Sequence, residues 1–307
     1  MITFKNVVLT TDLSLNADAA VPYAAALAKQ SGGTIHLFHA FEEDAREALA
    51  SGIVIGVSAW IESVRKAREQ KVADLAQAIE RQRGVKTIYA TAVGNPANEI
   101  ARYAKHNNAD AVVLATHGRT GLSHLLMGSV AERVVRLCPS PVLTVRPGEA
   151  PPADGFKFKT ILLPTDFSEN SCVAEPYAVE LAQKNGATLV LAHVVEDSVY
   201  YASAAASEGI GVDIEKWLTA IWADAEKQLR ANATRIAAQT KLDVVPVLKR
   251  GRAAEQIGQI AKEQKADLMV LSTHGYTGLS HLIFGSVAER IVRTSPVPVM
   301  SIKPGKK

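Results

Sequence analysis

The residues best suited to chemistry sit in one loop, and the chain carries that loop twice. The first copy reads Thr116-His117-Gly118, nine residues, then Gly128-Ser129-Val130. The second reads Thr273-His274-Gly275, nine residues, then Gly285-Ser286-Val287. Small residues, Ala115 and Ser272, precede each copy. Such residues let backbone N–H groups approach a ligand closely. Ser129 and Ser286 then open helices, whose free N–H groups and dipole favour an anion. Phosphate suits this arrangement, and nine residues between glycine turns suit a loop wrapped around a polyphosphate. A second reading needs no ligand. Ser129-x-x-Glu132 and Ser286-x-x-Glu289 have the spacing of capping boxes, and Gly118 and Gly121 can simply make turns. Capping explains the serines, but not the return of Gly118, Gly121, Gly128 and the Leu-Ser-His between them in both copies.

Residues 116–148 and 273–305 are identical at 22 of 33 positions, at a constant offset of 157. The chain is therefore a tandem duplication. Earlier in each half the offset is 154, which pairs Asp12 with Asp166 and His39 with His193. Three extra residues thus enter the second copy in the loop after the second strand, where insertions cost least. Asp12 and Asp166 close the first strand of each half. There they either cap the following helix, with Ser14 or Ser168 sharing the task, or belong to the site.

Alternating strand and helix patterns position these loops. In the first half, strands are expected at 6–10, 34–40, 85–92, 111–115 and 142–145. Helices are expected at 13–29, 60–83, 96–106 and 130–137. In the second half, strands are expected at 159–164, 187–194, 243–248, 268–272 and 299–302. Helices fall at 170–184 and 213–239, with a further one after the loop. Short apolar runs such as Asn6–Thr10 read as strands buried on both faces. This alternation predicts two tandem Rossmann-like, doubly wound α/β domains, each a five-stranded parallel sheet flanked by helices. The expected boundaries are 1–147, a Pro- and Gly-rich linker at 148–157, and 158–307. Ligands of such sheets bind beyond the carboxyl ends of the strands, near the switch in strand order.

The bulk properties agree. At 307 residues the length suits two domains, and 48% hydrophobic residues provide two cores. A net charge of +3 without clustered Lys or Arg gives no nucleic-acid footprint. No apolar run approaches a membrane span, and the opening MITFKNVVLTTD shows no leader pattern. A cytoplasmic protein is expected. Cys138 and Cys172 have no counterparts in the repeat and are expected to be inert packing residues.

Together these residues resemble the universal stress proteins in their tandem form. Nucleotide-binding members carry Gly-x2-Gly-x9-Gly-Ser/Thr after the fourth strand and an Asp after the first. The resemblance covers essentially the whole chain, and Pro164-Thr165-Asp166-Phe167-Ser168 also has the family's first-strand ending. It implies an ATP site in each half, with Mg2+ as an accompanying ion. Asp12 and Asp166 would bond the ribose, and the backbone at Ala40 and Val194 would meet the adenine. His117, Gly118, Gly128, Ser129 and Val130, with His274, Gly275, Gly285, Ser286 and Val287, would surround the phosphates. Ala115 and Ser272 stand where the motif has its first glycine. A position needing positive φ would be strained there; one needing only closeness would not. The resemblance also implies an internal pseudo-dimer through the last strands, and leaves a homodimer of the whole chain open.

Metal binding is not expected, because no Cys or carboxylate completes a ligand set around His117 and His124 or His274 and His281. Neither a Walker ending nor a nucleophile elbow is present, and no catalytic residues are expected. Three readings remain: a nucleotide-binding stress or signalling protein whose ligand biases conformation or partner binding, a weak ATPase, or an interaction scaffold whose site has lapsed.

Overall fold

The first half is a five-stranded parallel sheet in the order β3-β2-β1-β4-β5. Its strands are β1 (Asn6–Thr10), β2 (Thr34–Phe41), β3 (Thr87–Val93), β4 (Ala111–Ala115) and β5 (Val142–Val145). The computed structural model describes residues 2–42, 57–116, 127–147, 156–196, 214–273 and 285–304. Its helices are α1 (Val21–Gln30), α2 (Val57–Arg83), α3 (Pro96–His106) and α4 (Ser129–Leu137). Val7, Val8, Val112 and Val113 are fully buried, because helices cover both faces of the inner strands. Strand order runs outward from β1 through β2 to β3, then reverses through β4 to β5. The switch point therefore lies between β1 and β4, where Val7 pairs with Ala111.

The second half has the same topology, β8-β7-β6-β9-β10. Its strands are β6 (Thr160–Pro164), β7 (Thr188–Val195), β8 (Val244–Arg250), β9 (Leu268–Ser272) and β10 (Val299–Ile302). Its helices are α5 (Glu169–Cys172), α6 (Glu175–Asn185), α7 (Ile214–Thr240), α8 (Ala253–Glu263) and α9 (Ser286–Thr294). The chain divides into two compact units between Phe156 and Lys157. Among the described residues, no helix is long and apolar enough to cross a membrane.

The first helix of each half departs from expectation. A continuous helix from Leu13 does not form; a 3-10 turn at Ala17–Ala20 precedes α1. The second half likewise splits its helix into α5 and α6. Proline is the reason. Pro22 and Pro176 sit in the first turn of α1 and α6, the one place where a missing N–H costs no helical bond. Cys138 is buried as expected, whereas Cys172 is exposed, because α5 is a single short turn at the surface. Partial desolvation, then the Glu175 carboxylate, push the Cys172 thiol pKa up, which keeps it unreactive.

Candidate functional site

Each half has a cleft at the carboxyl ends of its strands, and the turn after the first strand shapes one wall. Leu13 and Phe167 both adopt positive φ, 63° and 62°, which is unusual for side chains of this size. Two side chains hold each turn. Thr11 Oγ1 accepts from Leu13 N at 2.9 Å, and Asp12 Oδ1 accepts from Ser14 N at 3.0 Å. The second half repeats this: Thr165 Oγ1 accepts from Phe167 N at 3.0 Å, and Asp166 Oδ1 from Ser168 N at 3.0 Å. Asp166 is thus not the helix cap. Ser168 is, accepting from Ser171 N at 3.1 Å. The two aspartates anchor a strained turn and sit at the mouths of the clefts.

A histidine backs each turn, buried in the first half and part-buried in the second. His39 Nδ1 donates to Thr11 O, and His193 Nδ1 donates to Thr165 O, both at 2.8 Å. Burial lowers the pKa of His193, while the bond to Thr165 and the charge of Asp166 oppose that shift. Donation to a carbonyl oxygen requires a proton on Nδ1. The Phe167 ring lies over it at 4.2 Å.

The glycine loop closes on its own backbone. Gly128 N donates to Thr116 O at 2.7 Å, and Gly285 N to Thr273 O at 2.9 Å. A Cβ on Gly128 would lie 2.9 Å from that carbonyl oxygen. Its φ of −64° is ordinary, so glycine is required here for closeness alone. Ala115 and Ser272 are extended strand residues, paired with Val145 and Ile302. No left-handed conformation is asked of them, so their side chains cause no strain. The capping-box reading is not realised. Gly128 and Gly285 are the N-caps, and they have no side chain to offer. Ser129 and Ser286 are instead the first helical residues. The first-turn N–H groups of α4 and α9 consequently lack side-chain caps. Ala40 and Val194 lie inside β2 and β7, one residue before each strand ends, rather than just after it. His117, Gly118, His274 and Gly275 lie outside the described residues, as do Arg119, Gly121, His124, Tyr276 and His281.

The second cleft has a volume of about 790 Å³, well within the few hundred to roughly 1,000 Å³ of small-molecule sites. Pro164, Thr165, Asp166 and Phe167 line it from the first-strand turn. Val194, Val195, Ile221, Ala225 and Ile257 form apolar walls, and Ser272, Gly285, Ser286 and Val287 close the end formed by β9 and α9. The first cleft is smaller, about 410 Å³, lined by Asp12, His39, Ala40, Phe41, Arg68, Ser129, Val130 and Arg133 among others. Of the expected nucleotide-site residues, the structure brings Pro164, Thr165, Asp166, Val194, Ser272, Gly285, Ser286 and Val287 around one space. It gathers Asp12, Ala40, Ser129 and Val130 around the other. The long helices fall where the sequence places them, but sequence reasoning missed that they line the clefts, through Arg68 on α2 and Ala225 on α7. The signal was there, since positions 68 and 225 are equivalent at the offset of 157.

A carboxyl-edge cleft at the reversal of strand order, with a helix start opening onto it, defines a doubly wound α/β protein. The model of the universal stress protein family matches residues 3–146 and again 157–303. The chain belongs to that family and carries its domain twice. A universal stress protein of Mycolicibacterium smegmatis is 27% identical over 306 residues, covering 98% of both chains. One from Methanocaldococcus jannaschii is 31% identical over 150 residues, 49% of this chain and 85% of that protein. The crystal structure of a universal stress protein from Archaeoglobus fulgidus has a TM-score of 0.68 at 22% identity, covering 100% and 99% of the two chains. That likeness confirms the fold.

Proposed function

We propose that this tandem universal stress protein binds an adenine nucleotide, ATP, at a carboxyl-edge cleft, and that occupancy biases its conformation or its contact with a partner. The cleft of the second half carries this reading: one cavity of about 790 Å³ joins apolar walls, an aspartate and a helix start. A flat base fits among Val194, Val195, Ala225 and Ile257. The carboxylate of Asp166 suits ribose hydroxyls. Phosphate oxygens suit the uncapped N–H groups at Ser286 and Val287. In the first half, Asp12, Ala40, Ser129 and Val130 stand at the corresponding places of a smaller cleft.

Binding is favoured over hydrolysis. Among the described residues lining the larger cleft, the charged side chains are Asp166, Glu196 and Asp224, with no Lys or Arg. Phosphoryl transfer needs its developing charge neutralised. Among those described residues no side-chain cation faces the phosphates, so a divalent cation and the helix start are left to neutralise them. The experiment is to denature freshly purified protein and identify released nucleotide by chromatography and mass. ATP or a related adenine nucleotide supports the reading. No nucleotide, with no uptake of added Mg-ATP, leaves a scaffold without a ligand.

A further inference from the structure

We infer that Arg68 determines which cleft admits a nucleoside: the first half closes its own base end with this side chain, and only the second half takes an adenine nucleotide. This rests on the nucleotide reading above. The two clefts share topology, the strained turn, the histidine behind it and the helix start. They differ in what stands between the end of the second strand and the long helix. In the first half the Arg68 guanidinium carbon lies 4.4 Å from the centre of the Phe41 ring. Phe41 in turn stacks on His39, with ring centres 5.4 Å apart and planes 22° apart. Guanidinium and imidazole thus both pack against the Phe41 ring at the base end of the cleft.

The equivalent residues of the second half are Ala225 and Val195, a single methyl and a small branched side chain. Both line the larger cavity. The cavity beside Arg68 and Phe41 is about 410 Å³, against about 790 Å³ beside Ala225 and Val195. An incoming base would occupy the position of a stacked cation in the first half and an open apolar wall in the second. A planar guanidinium on an aromatic face imitates a stacked base, so Arg68 acts as an internal competitor. Because Arg68 is only half-buried on α2, its removal leaves the core intact.

The test is equilibrium dialysis of labelled Mg-ATP against the full chain at saturating nucleotide, with circular dichroism confirming that each variant is folded. The wild-type chain is expected to bind about one ATP, and Arg68→Ala about two. Adding Asp12→Ala to Arg68→Ala is expected to return the ratio to one, which places the new site in the first half. An Arg68→Ala chain that still binds one overturns the inference, as does a double variant that still binds two. A wild-type chain that binds two overturns the closure while leaving the nucleotide reading intact. No binding by any of the three proteins overturns both.

Discussion

At the scale of single residues, closeness rather than backbone conformation explains the glycine loop. Gly128 has an ordinary φ, yet a Cβ would sit 2.9 Å from the Thr116 carbonyl oxygen. Gly128→Ala must therefore push the loop from its seat or break the bond to Thr116. A loss of about 1–3 kcal/mol is expected, the range for forced overpacking, and urea titration would show whether it occurs. Two histidines contribute to the response to pH. Burial depresses His193 in the folded chain, so it takes up a proton less readily there than in the unfolded chain. Burial depresses His36 too, and it is placed against the Tyr103 hydroxyl at 3.2 Å. Stability is accordingly full above the unfolded value of about 6.5. It falls as the pH drops from there through the depressed folded values. Denaturant midpoints measured from pH 7.5 to pH 5 should decline, and the decline should be shallower in His193→Gln. An unchanged slope would mean the ring is solvated.

At the scale of elements, the halves use different helix ends for the same job. Asn95 caps α3 with its side chain, accepting from Asn98 N. Its equivalent Arg252 offers α8 no side-chain cap. Arg252→Asn should therefore stabilise the second half by about 0.5–2 kcal/mol. Gly186 ends α6 at φ 64°, with nothing near its absent Cβ. Gly186→Ala should cost about 1–2 kcal/mol from backbone conformation alone. Thermal melts test both. The sequence made the buried strands plain: β1, β4, β5, β9 and β10 fall where the apolar runs place them, because both faces of those strands are covered. The helix starts were harder to read. Alanine and leucine spacing continues through Leu13–Ala20, while Pro22 and the Thr-Asp turn impose a break that hydrophobic periodicity does not register. The capping boxes misled for a related reason. Ser and Glu have the right spacing, but the glycine before them takes the cap position through its contact with Thr116.

At the scale of the whole molecule, duplication supplies two similar scaffolds and side chains make them unequal. The repeat made Asp12, Asp166 and the glycine loops visible, because recurrence singled them out. It hid Arg68 and Ala225, since attention to shared residues passes over positions where the copies differ. A ligand that binds only the folded chain raises its stability by mass action, by about 2.7 kcal/mol at one hundred times Kd. Saturating Mg-ATP should accordingly raise the thermal midpoint of the wild-type chain. Asp166→Ala should reduce that gain, since Asp166 faces the larger cleft.

The central claim is that nucleotide lies in the second half between the wall of β7 and the start of α9. A crystal structure of the chain grown with Mg-ATP tests it most directly. The account predicts electron density for the base against Val194, Val195 and Ala225, the ribose at Asp166, and phosphates at the backbone of Ser286 and Val287. Nucleotide bound elsewhere, or that cleft filled only by solvent at saturating ATP, would contradict it.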